Sequence, residues 1–294
     1  MTLAQENLRG AMLMVFAMAC FAVEDMFIKR AAQSLPVGQI LILFGLAGMI
    51  AFSAIAAMRG QRPWHGAMLG RTLLLKAVLE VVGRLGYTLG IALTPLSNAS
   101  AILQATPLVV VAGAAVLFGE KVGLRRWLAV GIGFMGVLIV LRPGMEGFVP
   151  AALWTVIGMF GFAGRDLASR AAPKVLSNPQ LGAHGFAALT VAGLILLPFT
   201  GAPVRPSPPV IGFLAAASLF GVTAYWSLTA AMRMGEVSVV TPFRYTRLLF
   251  GIALGIAVFG ESFDRITLAG AVLILASGLY TLLRRPRREP FAAM

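Results

Sequence analysis

Charged side chains inside apolar segments are the residues most capable of chemistry in this chain. In segment 72–93, Lys76, Glu80 and Arg84 follow at i, i+4 and i+8, with Tyr87 three positions further on. On a helix all four share one stripe. They can neutralise one another as a structural ladder or face a solute, and the spacing serves either role. In segment 237–259, Arg244 and Arg247 flank Tyr245 without any acid in the same segment. A helix-centre arginine costs about 2.5–3.5 kcal/mol on insertion scales and persists only beside an acid, water or an anionic ligand. Because Arg247, Gly251 and Gly255 step by four, this arginine should face protein or a cavity rather than lipid. The expected substrate-binding set is therefore Glu80, Arg84, Tyr87, Trp226, Arg244, Tyr245 and Arg247 around a central cavity. The arginines would take a carboxylate, and the rings of Tyr87, Tyr245 and Trp226 an apolar side chain.

A second set lies nearer the segment ends. Glu24 and Asp25 fall late in segment 10–28, and Arg165 and Asp166 late in segment 150–168. They read as gates at opposite mouths, or as interface charges that snorkel to the headgroups. Pro107 and Pro242, each preceded by threonine (Thr106, Thr241), should kink their helices beside a cavity, since lipid tolerates a freed carbonyl only where it finds a partner.

These residues must be positioned by helices in a bilayer. The chain has 294 residues, 59% hydrophobic and 12% charged, against about 25% charged in soluble domains. Stretches of about 20 apolar residues divide it into spans at 10–28, 37–58, 72–93, 99–118, 127–141, 150–168, 181–199, 210–230, 237–259 and 266–283. With a cytoplasmic N-terminus, fourteen of the 24 Lys and Arg lie in cytoplasmic segments, five on the opposite side and five within spans. The positive-inside rule thus puts both termini in the cytoplasm.

CFAVED at 20–25 matches GFAGRD at 161–166, and LFGEK at 117–121 matches VFGES at 258–262, at one offset of 141 residues that Gln39/Gln180 and Ser97/Ser238 also keep. Duplication of a five-span unit inverts the second copy, because an odd number of crossings precedes it. The expected fold class is an all-α polytopic membrane protein of ten transmembrane helices in two inverted five-helix repeats, residues 1–141 and 142–294. Because the first span has a counterpart in the sixth, it reads as a structural helix and not as a cleaved signal peptide.

Along essentially its whole length the chain resembles the drug/metabolite transporter superfamily, specifically its EamA-type members. The duplicated FGE at 118–120 and 259–261 and VVTPFRYTRLLFG at 239–251 carry the resemblance. Within the superfamily it looks most like the aromatic and neutral amino-acid exporters. That implies export across the cytoplasmic (inner) membrane by alternating access.

Other classes fit less well. The net charge of +13 punctuates apolar runs instead of lining an exposed face, so nucleic acid is not an expected partner. Cys20 is the only cysteine, which leaves no intrachain disulfide and no Cys-based metal site. No cofactor is expected, because no Walker A motif occurs and His65 and His184 stand far apart without metal-ligand spacing. An intramembrane enzyme would need a His/Asp/Ser cluster, and a channel a continuous polar lining. The expected partners are the lipid bilayer and a small carboxylate-bearing or zwitterionic metabolite, and a monomer is compatible with that function. Uptake of a nucleoside, vitamin or S-adenosylmethionine-like solute is the competing transporter reading.

Overall fold

The computed structural model describes residues 3–118, 124–142, 149–170, 175–232, 241–262 and 264–283. Among these every regular element is helical. The helices are α1 (Leu3–Ala31), α2 (Val37–Met58), α3 (Arg71–Leu93), α4 (Leu96–Leu103), α5 (Thr106–Phe118), α6 (Leu124–Leu141), α7 (Ala152–Arg170), α8 (Asn178–Thr200), α9 (Pro208–Met232), α10 (Thr246–Phe259) and α11 (Arg265–Leu283). A 3₁₀ turn at Thr241–Tyr245 leads into α10. Glu120 and Ser238, two members of the repeated pattern, lie outside the described residues.

Among the described residues, four helices are long and apolar enough to cross a membrane on length and composition alone: α1, α2, α8 and α9. With 23 and 19 residues, α3 and α7 also have spanning length but carry the intramembrane charges. Large apolar side chains such as Ile50, Phe199 and Leu219 point outward, as a lipid-facing surface requires.

The fourth expected span is broken. After Leu103 the chain turns through Gln104 and Ala105 before α5 begins. Pro107 cannot donate to the Leu103 carbonyl, and the Thr106 hydroxyl takes that acceptor instead, at 2.6 Å. The ninth span changes from 3₁₀ to α at Tyr245 and Thr246, where the Thr246 hydroxyl closes onto the Phe243 carbonyl at 2.7 Å. Gln104 and Tyr245 are 141 residues apart, and the two breaks meet where Gln104 Nε2 donates to the Arg244 carbonyl at 3.5 Å.

The principal packed pairs are α2 with α8, α3 with α7, α1 with α9, and α6 with α11. Under the 141-residue offset, α2/α8 and α6/α11 map onto themselves, while α1/α9 and α3/α7 exchange. Both self-mapping pairs run antiparallel: in α2/α8, Gly38 abuts Leu197, Gly45 abuts Thr190 and Gly182 abuts Phe52, and in α6/α11, Gly133 abuts Ser277 and Gly270 abuts Val140. Glycine makes these approaches possible. A Cβ on Gly86 would lie 2.5 Å from the Gly158 backbone nitrogen, so α3 and α7 touch backbone to backbone. Gln39 and Gln180 peg mirror loops in the same manner. Gln39 exchanges two hydrogen bonds with the Val204 backbone, at 2.7 and 2.9 Å, and Gln180 donates to the Arg62 carbonyl at 2.8 Å.

Candidate functional site

Consecutive residues on a helix diverge by about 100°, so two adjacent charged residues can serve two different neighbours. Such pairs sit on α1 (Glu24, Asp25) and α7 (Arg165, Asp166), and both insert between α3 and α10. Arg84 of α3 donates to Glu24 at 3.0 Å, and Arg247 of α10 to Asp25 at 2.6 Å. Arg165 donates to Glu80 of α3 at 2.9 Å, while Asp166 accepts from Arg244, in the 3₁₀ turn that leads into α10, at 3.5 Å. Four ion pairs thus close a ring through α1, α3, α7 and the segment formed by the 3₁₀ turn and α10. Lys76 adds a contact of 3.2 Å to Glu80, and Arg165 also donates to its own neighbour Asp166 at 3.0 and 2.8 Å.

Four carboxylates face five cations in this cluster, leaving one net positive charge. Aromatic rings hold the guanidinium groups. Arg247 lies 4.8 Å over Phe21 and 5.4 Å over Tyr87, Arg165 4.7 Å over Phe162, and Arg84 5.6 Å over Phe44. Such stacking stabilises desolvated cations. The Tyr87 hydroxyl donates to Asp25 at 2.9 Å.

The ring does not exhaust its hydrogen-bonding capacity. Glu24 Oε2, Asp25 Oδ1, Arg84 Nε and Arg247 Nε are buried without a hydrogen-bond partner. All four lie in the half of the ring made by α1, α3 and α10. Buried polar atoms are normally satisfied, so this half has room in its chemistry for water or a polar solute.

Several expectations meet here and others are corrected. Substrate candidates Glu80, Arg84, Tyr87, Arg244 and Arg247 and gating candidates Glu24, Asp25, Arg165 and Asp166 form one network. Glu24 and Asp25 do not snorkel: each is 1% exposed and paired, about 10 Å from the C-terminal end of α1. Only Lys76 and Glu80 form the ladder along α3, because Arg84 turns to α1. Tyr245 is buried and its hydroxyl has no hydrogen-bond partner. Trp226 lies elsewhere, under the Arg59 guanidinium at 4.5 Å, where α2 ends. Its neighbour Tyr225 instead faces Glu80 across Gly185. Two apolar grooves of about 420 and 440 Å³ flank α6/α11 and α1 respectively, and neither is lined by the ring.

The second FGE has a clear physical role. Gly260 adopts φ +64°, a left-handed cap that ends α10, and Glu261 then turns back toward the start of α4. Its carboxylate accepts from the Leu96 and Ser97 amides at 2.7 and 3.1 Å and from the Ser97 hydroxyl at 2.8 Å, satisfying donors that a helix start leaves open. Lys29 completes the cluster, 3.4 Å from Glu261 and 2.6 Å from the Thr94 carbonyl. Sequence reading found the motif and missed Lys29, which looked like an ordinary helix-end cation.

Comparison with known proteins agrees with this architecture. A riboflavin transporter of Vibrio cholerae is 26% identical over 98% of this chain and 99% of its own length. An S-adenosylmethionine uptake transporter of Rickettsia conorii is 25% identical over 71% of this chain and 70% of its own. A pseudopaline exporter of Pseudomonas aeruginosa is 23% identical over 91% and 94%. One solved crystal structure shares the fold, with a TM-score of 0.62 at 17% identity over 95% of this chain and 96% of that one. The EamA-like transporter family matches twice, over residues 8–142 and 149–283, and the chain belongs to that family.

Proposed function

We propose that this chain is a secondary transporter that carries a small carboxylate-bearing or zwitterionic metabolite through its centre by alternating access, between two inverted halves. The observation that carries the reading is the ring of ion pairs. Antiparallel packing of the self-mapping pairs α2/α8 and α6/α11 supports a two-fold axis perpendicular to the helices, the relation that makes an inward-facing shape the mirror of an outward-facing one. Asp25 and Asp166 are mates under the 141-residue offset, and each pairs with a different arginine of the same broken span. Opening on one side separates Asp25 from Arg247, and opening on the other separates Asp166 from Arg244. The freed guanidinium then meets the solute's carboxylate bidentately.

The placement among aromatic and neutral amino-acid exporters has no support in the relatives reported above, which are named for riboflavin, S-adenosylmethionine and pseudopaline. Those names favour vitamin or S-adenosylmethionine uptake as a second reading, with the same site and the opposite net flux. Each of the four ring carboxylates has a basic partner, and the direction of net flux follows from gradients. The family is one of transporters, not enzymes. The ring closes within one chain, so a monomer suffices, and an inner-membrane location with both termini cytoplasmic follows from the Lys/Arg distribution.

Counterflow in proteoliposomes tests this directly. Proteoliposomes preloaded with S-adenosylmethionine or phenylalanine, each bearing a carboxylate, should accumulate the labelled form of at least one of them, and Arg244→Ala should abolish that accumulation; accumulation of riboflavin alone, which has no carboxylate, would refute the carboxylate reading. Undiminished counterflow in Arg244→Ala would remove the arginine from the path.

A further inference from the structure

A cation in the last turn of a helix ordinarily serves that helix's own open carbonyls. Lys29 and Arg30, the last-turn cations of α1, reach instead to other segments. The Lys29 ammonium has three N–H donors, and three acceptors stand around it: the Thr94 carbonyl at 2.6 Å, the Ile91 carbonyl at 3.3 Å and Glu261 at 3.4 Å. The two carbonyls belong to the end of α3. Glu261 follows α10 and is itself fixed to the start of α4 through the Leu96 and Ser97 amides. Arg30 donates to the Val258 carbonyl of α10 at 3.0 Å, and the Phe259 ring lies under both cations, 5.2 Å from Lys29 and 5.1 Å from Arg30.

This node joins the ends of α1, α3 and α10 to the start of α4, and with cytoplasmic termini all four meet at the outer face. Its two parts differ in kind. Glu261 holds the corner between α10 and α4 with three hydrogen bonds that do not involve α1, so the start of α4 is capped without Lys29. Each bond of Lys29, by contrast, crosses from α1 to another segment. Because α1 packs principally on α9, Lys29 crosses the seam along which the α1/α9 pair can part from α3, α4 and α10.

The same seam runs through the ring. Asp25 lies one turn inward of Lys29 on α1, about 6 Å along the axis, and is paired with Arg247 of α10, while Glu24 is paired with Arg84 of α3. Swinging the outer end of α1 aside separates these pairs and the node together, and water entering at that mouth rehydrates the charges released. Under the 141-residue offset, Lys29, Ser97 and Glu261 correspond in sequence to Arg170, Ser238 and Glu120, the same three kinds of side chain. We propose that Lys29, with Arg30 beside it, is the outer gate of the transport path: its bonds to Glu261 and to the end of α3 close the mouth above the ring, and their release gives the solute access to Asp25 and Arg247 from the outer face. This gate rests on the transporter reading above and names the contact that governs entry to its site.

Ser100 can report on this mouth without belonging to the node or the ring. It lies one turn beyond Ser97 on α4, 2% exposed, with its side chain against Gly251 of α10. In a Cys20→Ala background, which removes the native thiol, Ser100→Cys is labelled with a membrane-impermeant maleimide in right-side-out and in inverted vesicles. Lys29→Met keeps the stem over Phe259 and removes the charge. It should raise the labelling rate from the outer face at least fivefold and leave the rate from the inner face unchanged, and Lys29→Arg should restore the slow outer rate. Arg30→Gln, which cuts only the Val258 contact, should raise the outer rate in the same sense and serves alone if Lys29→Met yields no folded protein. An unchanged outer rate in the variant so used overturns the gate, as does an equal rise from both faces, which marks a loosened fold, or no rescue by Lys29→Arg. Labelling requires no solute: failed counterflow refutes transport and leaves the gate standing, whereas counterflow with unchanged labelling keeps transport and removes the gate.

Discussion

Arg247 and Arg244 should respond very differently to truncation, although the sequence presents them as a pair. Arg247 lies 2.6 Å from Asp25, whose side chain is 1% exposed. Its removal leaves that carboxylate with the Tyr87 hydroxyl alone, on the oxygen that Arg247 also contacted, while Oδ1 stays without a hydrogen-bond partner. Stripping one partner from a buried ion pair costs about 3–5 kcal/mol, and the Phe21 and Tyr87 rings also lose their stacked guanidinium. Arg244 is held at 3.5 Å, in a pair whose two members are each 21% exposed, and Asp166 retains Arg165 when it goes. That loss belongs with exposed pairs, at about 0–1 kcal/mol. Arg247→Ala should therefore destabilise the chain by about 2–5 kcal/mol more than Arg244→Ala, the difference between those two ranges. Unfolding in mixed micelles, followed by circular dichroism, reads the difference. Adding Asp25→Asn to Arg247→Ala should recover more than half of the loss, since the amide keeps the Tyr87 contact and removes the stranded charge. Equal melting of the two single variants, or no recovery in the double, would refute the assignment of Asp25 as the partner. Arg244→Ala, folded but inactive in counterflow, would mark Arg244 as the arginine that handles solute.

Other regions give independent checks. Glu261→Ala leaves two amides of α4 without their acceptor and Lys29 with the Ile91 and Thr94 carbonyls alone and should cost about 1–3 kcal/mol, with Glu261→Gln recovering part of it in the same melts. Gly158→Ala would put a Cβ 2.5 Å from the Tyr87 backbone nitrogen, so α3 and α7 must part and the yield of folded monomer on gel filtration should collapse. Asp264, outside the membrane-spanning helices, accepts from the Arg142 side chain and the Thr267 amide, which hold its carboxyl down from 3.8 to about 2. A depressed carboxylate contributes stability above its unfolded value and loses it as pH falls through the folded one. The melting difference between wild type and Asp264→Asn should thus be flat above about pH 5 and shrink steadily from about pH 4 to pH 2. A tag at the C-terminus should be protected in right-side-out vesicles and labelled in inverted ones; the opposite result would break the even-span topology.

Span positions, the repeat and the identity of the intramembrane charges were legible because hydropathy and a constant offset are local properties of a string. Partner choice was not. Glu24 meets Arg84 across 60 residues and Asp25 meets Arg247 across 222, and only helix packing decides such meetings. Trp226 and Tyr225 show the limit at its smallest scale. They are adjacent on α9, a helix apolar all round, so no periodicity tells which ring turns inward, and Tyr225 does. The Thr-Pro break at 106–107 was readable in advance, since proline's missing donor is a property of the residue itself.

The energetics of the ring bear on how it can open. Four buried or half-buried ion pairs do not make the closed form deeply stable, because desolvation offsets much of their attraction. They make it specific: any relative motion of α1, α3, α7 and α10 separates a charge from its partner. A motion that admits water at the same moment rehydrates both partners, which removes most of the penalty, whereas a motion that opens no aqueous path leaves them stranded. The low-energy openings are therefore those that lead to one aqueous face or the other. Opening both at once would break the Asp25 and the Asp166 pairs together and free both Arg244 and Arg247 from their carboxylates. The two arginine–aspartate pairs are also unequal, 3.5 Å with a second arginine in support on Asp166 and 2.6 Å with a tyrosine on Asp25, so in the proposed cycle the Asp166 pair would separate first. In the proposed cycle a solute carboxylate that took over Arg244 would compensate that opening, and returning Arg244 to Asp166 would expel it. On that proposal, coupling of solute to gate would need no further device than the exchange of one carboxylate for another on a single guanidinium.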